Sequence, residues 1–157
     1  MQQVVKEIAE CLITRGASLA VAESCTGGYV GKLITDFPGS SAWFQGGVIC
    51  YSNDLKCKIG VEKNTIDTFG AVSLEVVEQL AEKICTFAGC SVGLAISGVA
   101  GPEGGTQYNP VGTVCFSWYV FGKTLSEKST FQGERNEIRH QAAIKSLVRL
   151  HNLLQER

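Results

Sequence analysis

Three short apolar runs, at residues 18–22, 47–51 and 92–97, each stop at a cluster of small and polar residues. The first two clusters run directly into helical sequence. Strand, tight turn and helix repeated along one chain is the unit of an open α/β sheet, because parallel strands can be joined only by a crossover. Ligands in such sheets bind beyond the carboxyl ends of the strands. The clusters that follow the runs are therefore the first places to look for chemistry.

The remaining segments fit the same frame. Apolar residues at near-helical spacing over 4–12 predict a first helix, stopped by Gly16. A second helix is expected over 28–35, then a loop at 37–41. Asn53 is read as the cap of a short helix through Ile59, ended by Gly60. Ser73 caps a helix whose buried face is Val77, Leu80, Ala81, Ile84 and Ala88, and Gly89 ends it. A Gly-rich loop over 99–110 leads to strands at 111–121 and 125–131, joined by a Gly122–Lys123 turn. From Glu134 a long helix lines up Ala143, Leu147, Leu150 and Leu154. The expected fold is a three-layer α/β/α sandwich with a mixed, partly parallel sheet, one domain over residues 1–157.

Composition removes several function classes. At 157 residues and 45% apolar, the chain can bury a core. Fourteen Lys and Arg stand against 15 Asp and Glu, so the field of a nucleic-acid binder is absent. No apolar run approaches the roughly 20 residues that cross a bilayer. The amino terminus reads as an amphipathic helix and not as a signal peptide. Seven cysteines without a CxxC pair, and histidines only at His140 and His151, predict no metal site and reduced thiols in a cytoplasm.

Four stretches carry candidate chemistry. In Ala22-Glu23-Ser24-Cys25-Thr26-Gly27-Gly28 a hydroxyl residue and two glycines open a helix, where backbone N–H groups favour a phosphate or an oxyanion. The plain alternative is a turn with Ser24 or Thr26 as cap. Tyr51-Ser52-Asn53-Asp54-Leu55-Lys56 follows the second strand. Its lysine can activate a serine only if its pKa falls; the alternative is a solvated helix lysine. Ser97-Gly98 opens the Gly-rich loop, which suits close ligand approach or is simply a surface loop. Arg135 and Arg139 share one face of the last helix and suit phosphate or carboxylate, or form salt bridges with acids such as Glu134. Cys25 is read as a packed thiol.

The ordered set AESCTGG, WFQGGVICYSNDLK, GAVS, SGVAGPEGG, PVGTV and GERNEIRHQA resembles the CinA C-terminal domain family, most closely its stand-alone amidohydrolases. The resemblance spans Ala22 to Ala142. It implies hydrolysis of nicotinamide mononucleotide to nicotinate mononucleotide and ammonia, without metal or cofactor, by a cytoplasmic enzyme expected to be a homo-oligomer. It implies Ser24 as nucleophile, Lys56 as base and Tyr51 as a further catalytic residue. Thr26, Gly27, Gly28, Ser97, Gly98, Arg135 and Arg139 are the implied substrate-binding set. Relatives often carry a lysine where this chain has Asn109. Two other readings stay open: a non-catalytic nucleotide-binding module in a competence or DNA-damage response, and a cysteine hydrolase using Cys25.

Overall fold

A computed structural model describes residues 1–156. The chain runs α1 (Gln2–Thr14), β1 (Leu19–Glu23), α2 (Tyr29–Thr35), β2 (Phe44–Ile49), α3 (Asn53–Ile59), α4 (Lys63–Phe69), α5 (Leu74–Ala88), β3 (Val92–Gly98), β4 (Thr113–Val120), β5 (Lys123–Thr130) and α6 (Arg135–Gln155), with a short 3-10 turn at Ser40–Ala42. The sheet order is β2-β1-β3-β4-β5. The first three strands are parallel, and β4 and β5 add antiparallel. β1 connects to β2 on one side while β3 lies on the other. The carboxyl ends of β1 and β3 thus flank the point where the winding reverses, the usual place for a ligand crevice.

Strand alternation sorts the core into two layers. Leu19, Val21, Leu94, Ile96, Val114, Phe116 and Trp118 pack with α1, α2 and α6. Ala20, Ala22, Ala95 and Cys115 pack with α3, α4 and α5. The second face carries small side chains because α5 lies close against it. A Cβ at Gly93 would overlap the Ala81 carbonyl of α5. Among the described residues no helix is long and apolar enough to cross a membrane, and all seven cysteines are free.

Several boundaries differ from those the sequence suggests. The second strand is Phe44–Ile49 and not 47–51. It is an edge strand set by pairing with β1 from Leu19↔Phe44 onward, so it runs through Gly46 and Gly47. Ser52, not Asn53, caps α3, its hydroxyl accepting from Leu55 N–H at 3.1 Å. The β4–β5 turn is Phe121–Gly122, one residue earlier than expected, and both residues have positive φ (51° and 85°). That is the pairing of a two-residue hairpin turn matched to strand twist. Helix α4 has no counterpart in the apolar pattern: it buries only Thr65 and Ile66. It is held from α5, where Gln79 accepts from Glu62 N–H and donates to Thr65 Oγ1.

The close approach of α5 to the sheet gives a direct test. Gly93→Ala should destabilise the protein at the upper end of the roughly 1–3 kcal/mol seen for overpacked cores. Urea denaturation measures it, and an unchanged midpoint would show that α5 can move away.

Candidate active site

β1 ends in a buried, irregular turn. Ser24 still holds the sheet, its N–H donating to Ile96 O at 3.0 Å. The chain then bends through Gly27 (φ 60°) and Gly28 (φ 96°), backbone that other residues adopt only with strain. Strand β2 ends beside it, where Cys50 N–H donates to Glu23 O at 2.8 Å. After the Ser52 cap, α3 carries Lys56 back toward the sheet.

The two strand ends bring Ser24 and Lys56 together. Lys56 is 1% exposed, and its Nζ lies 3.3 Å from Ser24 Oγ, 2.8 Å from Cys50 O and 3.1 Å from Tyr51 O. Burial lowers the Lys56 pKa, opposed by the Cys50 and Cys25 thiols. Arg135 does not contribute: desolvation alone lowers it. Cys25, next to the hydroxyl, is desolvated so that its pKa is pushed up to about 12, which leaves a protonated, unreactive thiol.

Tyr51 meets the pair through its backbone. Its carbonyl touches Lys56, while its hydroxyl accepts from Arg135 Nη2 at 3.2 Å. Arg135 also donates to Gly101 O at 2.7 Å, and so ties the loop after β3 to the segment after β2. Arg139 is turned inward. It donates to Cys25 O and Thr26 O, each at 3.0 Å, and to Asn136 Oδ1. The two arginines thus share a helix but differ in solvation, Arg135 exposed and Arg139 half-buried.

The start of α2, expected to be open to an anion, is already filled. Glu23, 2% exposed, accepts from Gly28 N–H at 3.0 Å, Val30 N–H at 3.1 Å and Gly31 N–H at 2.8 Å. Gly28 N–H is therefore spent inside the protein. In the same turn Gly27 N–H donates to Ser24 O, the Cys25 N–H lies against its own thiol, and among the described residues the Thr26 N–H makes no backbone hydrogen bond. Thr26 is fully buried, and its Oγ1 has no hydrogen-bond partner among the described residues. Glu23 is the residue that motif reasoning overlooked. Its signal was available: a carboxylate on the same strand face as Leu19 and Val21.

The other candidates hold the walls. Ser97 Oγ donates to Ala71 O at 2.7 Å, and Asn109 Nδ2 donates to Val72 O at 2.9 Å. Together they fix the GAVS segment before α5. A Cβ at Gly98 would overlap Thr113 O and Val114, so this glycine serves packing against β4.

Comparison with known proteins adds an independent line. The family model for the CinA C-terminal domain matches residues 1–154. The chain is 41% identical to the nicotinamide-nucleotide amidohydrolase PncC of Escherichia coli K12, over 96% of this chain and 92% of that protein. It is 43% identical to the PncC of Enterobacter agglomerans, over 94% and 91%. The crystal structure of a CinA superfamily protein from Enterobacter cloacae superimposes with a TM-score of 0.93 at 36% identity, covering 96% of this chain and 90% of that one.

The lowered pKa of Lys56 has a thermodynamic signature. The unfolded lysine has a pKa of about 10.4 and so binds more protons than the folded one between the two values. Stability should rise with pH across that interval and fall as pH drops through it. Lys56→Met removes the titration, so its stability relative to wild type should improve as pH is lowered from about 10. Urea denaturation over a pH series reads the difference, and a pH-independent difference would mean that Lys56 is not desolvated in solution.

Proposed function

The chain belongs to the CinA C-terminal domain family, and from that premise we propose that it is an amidohydrolase that converts nicotinamide mononucleotide and water to nicotinate mononucleotide and ammonia. The observation that carries the reading is the buried Lys56 amine 3.3 Å from the Ser24 hydroxyl.

A neutral amine has two N–H donors and one lone pair. Cys50 O and Tyr51 O can take both donors, which leaves the lone pair to accept the Ser24 proton. Ser24 Oγ then attacks the amide carbon, and the resulting oxyanion lies near the N–H groups of Cys25 and Thr26. The Lys56 ammonium returns its proton to the nitrogen, the C–N bond breaks and ammonia leaves. Water, deprotonated by Lys56, next attacks the Ser24 ester; collapse expels Ser24 Oγ, which takes the proton back from the Lys56 ammonium, and the carboxylic acid is released. Among the substrate-binding candidates, Arg135 is suited to the phosphate, because it is exposed and has N–H donors to spare. Arg139 is occupied with the turn. The exposed ring of Tyr51 offers an aromatic surface to the cationic pyridinium.

Two rival readings are weaker on specific grounds. A thiol pushed up to about 12 makes Cys25 a poor nucleophile. A module that only binds nucleotide has no use for a desolvated lysine against a serine, since burying an amine carries a solvation cost.

Ser24→Ala should lower ammonia release on the order of 10⁴-fold while mononucleotide binding persists by calorimetry. Lys56→Arg should fail comparably, because a guanidinium keeps its proton. Wild-type kcat should fall as pH drops through the lowered lysine pKa. Substantial turnover by Lys56→Arg would make the lysine an electrostatic stabiliser and place the base elsewhere.

The two arginines give a paired test. Arg135→Ala should weaken the mononucleotide far more than the phosphate-free riboside. Arg139→Ala should lower kcat for both substrates alike, because it loosens the Ser24 turn. The opposite pattern would exchange the two roles.

A further inference from the structure

Glu23 stands directly before Ser24, yet the proposed chemistry does not use it. Its carboxylate is 2% exposed, and among the described residues no ion pair involves it. A buried carboxylate without a cation must be compensated by hydrogen bonds. Here the compensation is three backbone N–H groups, from Gly28, Val30 and Gly31, all on the helix that leaves the Ser24 turn.

The geometry closes a clamp. The backbone of Glu23 is fixed at the carboxyl end of the interior strand β1, paired to Ile49 on one side and Ile96 on the other. Its side chain reaches over residues 24–27 and grips the start of α2. Ser24, and the N–H groups of Cys25 and Thr26, therefore lie on a short span anchored at both ends by one residue. Arg139 supports the same span from α6 through Cys25 O and Thr26 O.

We propose that Glu23 is a positioning residue that fixes the Ser24 hydroxyl and the adjacent N–H groups in attacking geometry. This rests on the reading of Ser24 as nucleophile. Glu23 touches neither the substrate amide nor Lys56 in that scheme. It acts through the backbone, and it also reserves the α2 end, so that a substrate anion must be held elsewhere. The three bonds are divided, two on Oε2 and one on Oε1. An amide keeps one accepting oxygen and turns its NH2 toward N–H donors, so Glu23→Gln must lose at least one bond.

The test compares wild type, Glu23→Gln and Glu23→Asp at temperatures where circular dichroism shows each fully folded. Small misplacement of a nucleophile costs rate far more than binding, so kcat should fall at least about tenfold in Glu23→Gln while KM changes less than about threefold. The rate at which a fluorophosphonate labels Ser24 should slow by a similar factor. Ile84→Val, a core change in α5, is the control and should lose stability without losing kcat. Wild-type kcat and labelling in Glu23→Gln would overturn the proposal, as would a loss that only tracks the folded fraction. Failure of both Glu23 variants to fold would make it a folding residue and overturn the proposal too. Full turnover by Ser24→Ala would instead remove the nucleophile reading itself, which separates the two failures.

Discussion

Removing the Lys56 amine from water constrains more of this molecule than any other contact. An ammonium in a low-dielectric site costs several kcal/mol even after relaxation. The fold meets that cost with two carbonyls and a tendency toward the neutral form. Both carbonyls come from consecutive residues, Cys50 and Tyr51, so β2 must stop pairing at this point. Cys50 N–H makes the last bond to β1, after which the chain is free to turn its carbonyls toward the amine. Ser52 then starts α3 at once. Without that immediate cap, Lys56 would not fall on the first turn and a half, where its side chain can reach back.

The layer around α5 provides the remaining wall. Small residues on one sheet face let α5 approach closely, and its leading segment, Gly70 to Ser73, is drawn over the strand ends. Ser97 and Asn109 each bond a carbonyl of that segment. A lysine at position 109 would bring charge to this place. The asparagine brings an amide whose Nδ2 holds Val72 while its Oδ1 has no partner among the described residues. The packing of α5 and the shape of the site are thus one problem: a helix displaced from Gly93 would carry the GAVS segment away from Ser97.

The convergence of Ser24 and Lys56 was legible in the sequence because strand ends are legible. Apolar runs that stop at small residues mark the carboxyl edge of a sheet, and topology then brings those edges together. The long helices were readable for the same reason, through sustained apolar periodicity. What stayed hidden depends on partners distant in the chain. Helix α4 is too short to carry a stripe and exists through Gln79. The inward turn of Arg139 needs the carbonyls of residues 25 and 26, more than a hundred positions earlier. Glu23 is not marked by its motif because its carboxylate faces the protein and not a ligand. The Gly-Gly pair suggests space for an anion, whereas Gly28 N–H is held by the chain's own Glu23 and a Cβ at either glycine would press on Arg139 or Ile49.

In the proposed mechanism, burial divides the cationic residues between tasks that one residue type could not share. A base at neutral pH must shed its proton, which an amine does when desolvated and a guanidinium does not. An anchor for a phosphate must stay charged and keep donors free, which favours arginine at an exposed rim. A brace for backbone carbonyls needs several donors in fixed directions, and the half-buried Arg139 fork supplies them. Exchanging Lys56 and Arg135 would therefore fail twice. The guanidinium would stay charged in the desolvated place, and the lysine at the rim would keep its proton but lose the fork that reaches Tyr51 and Gly101 together. The near-neutral net charge of the chain conceals this arrangement, because what matters at the site is the solvation of each charge and not the sum.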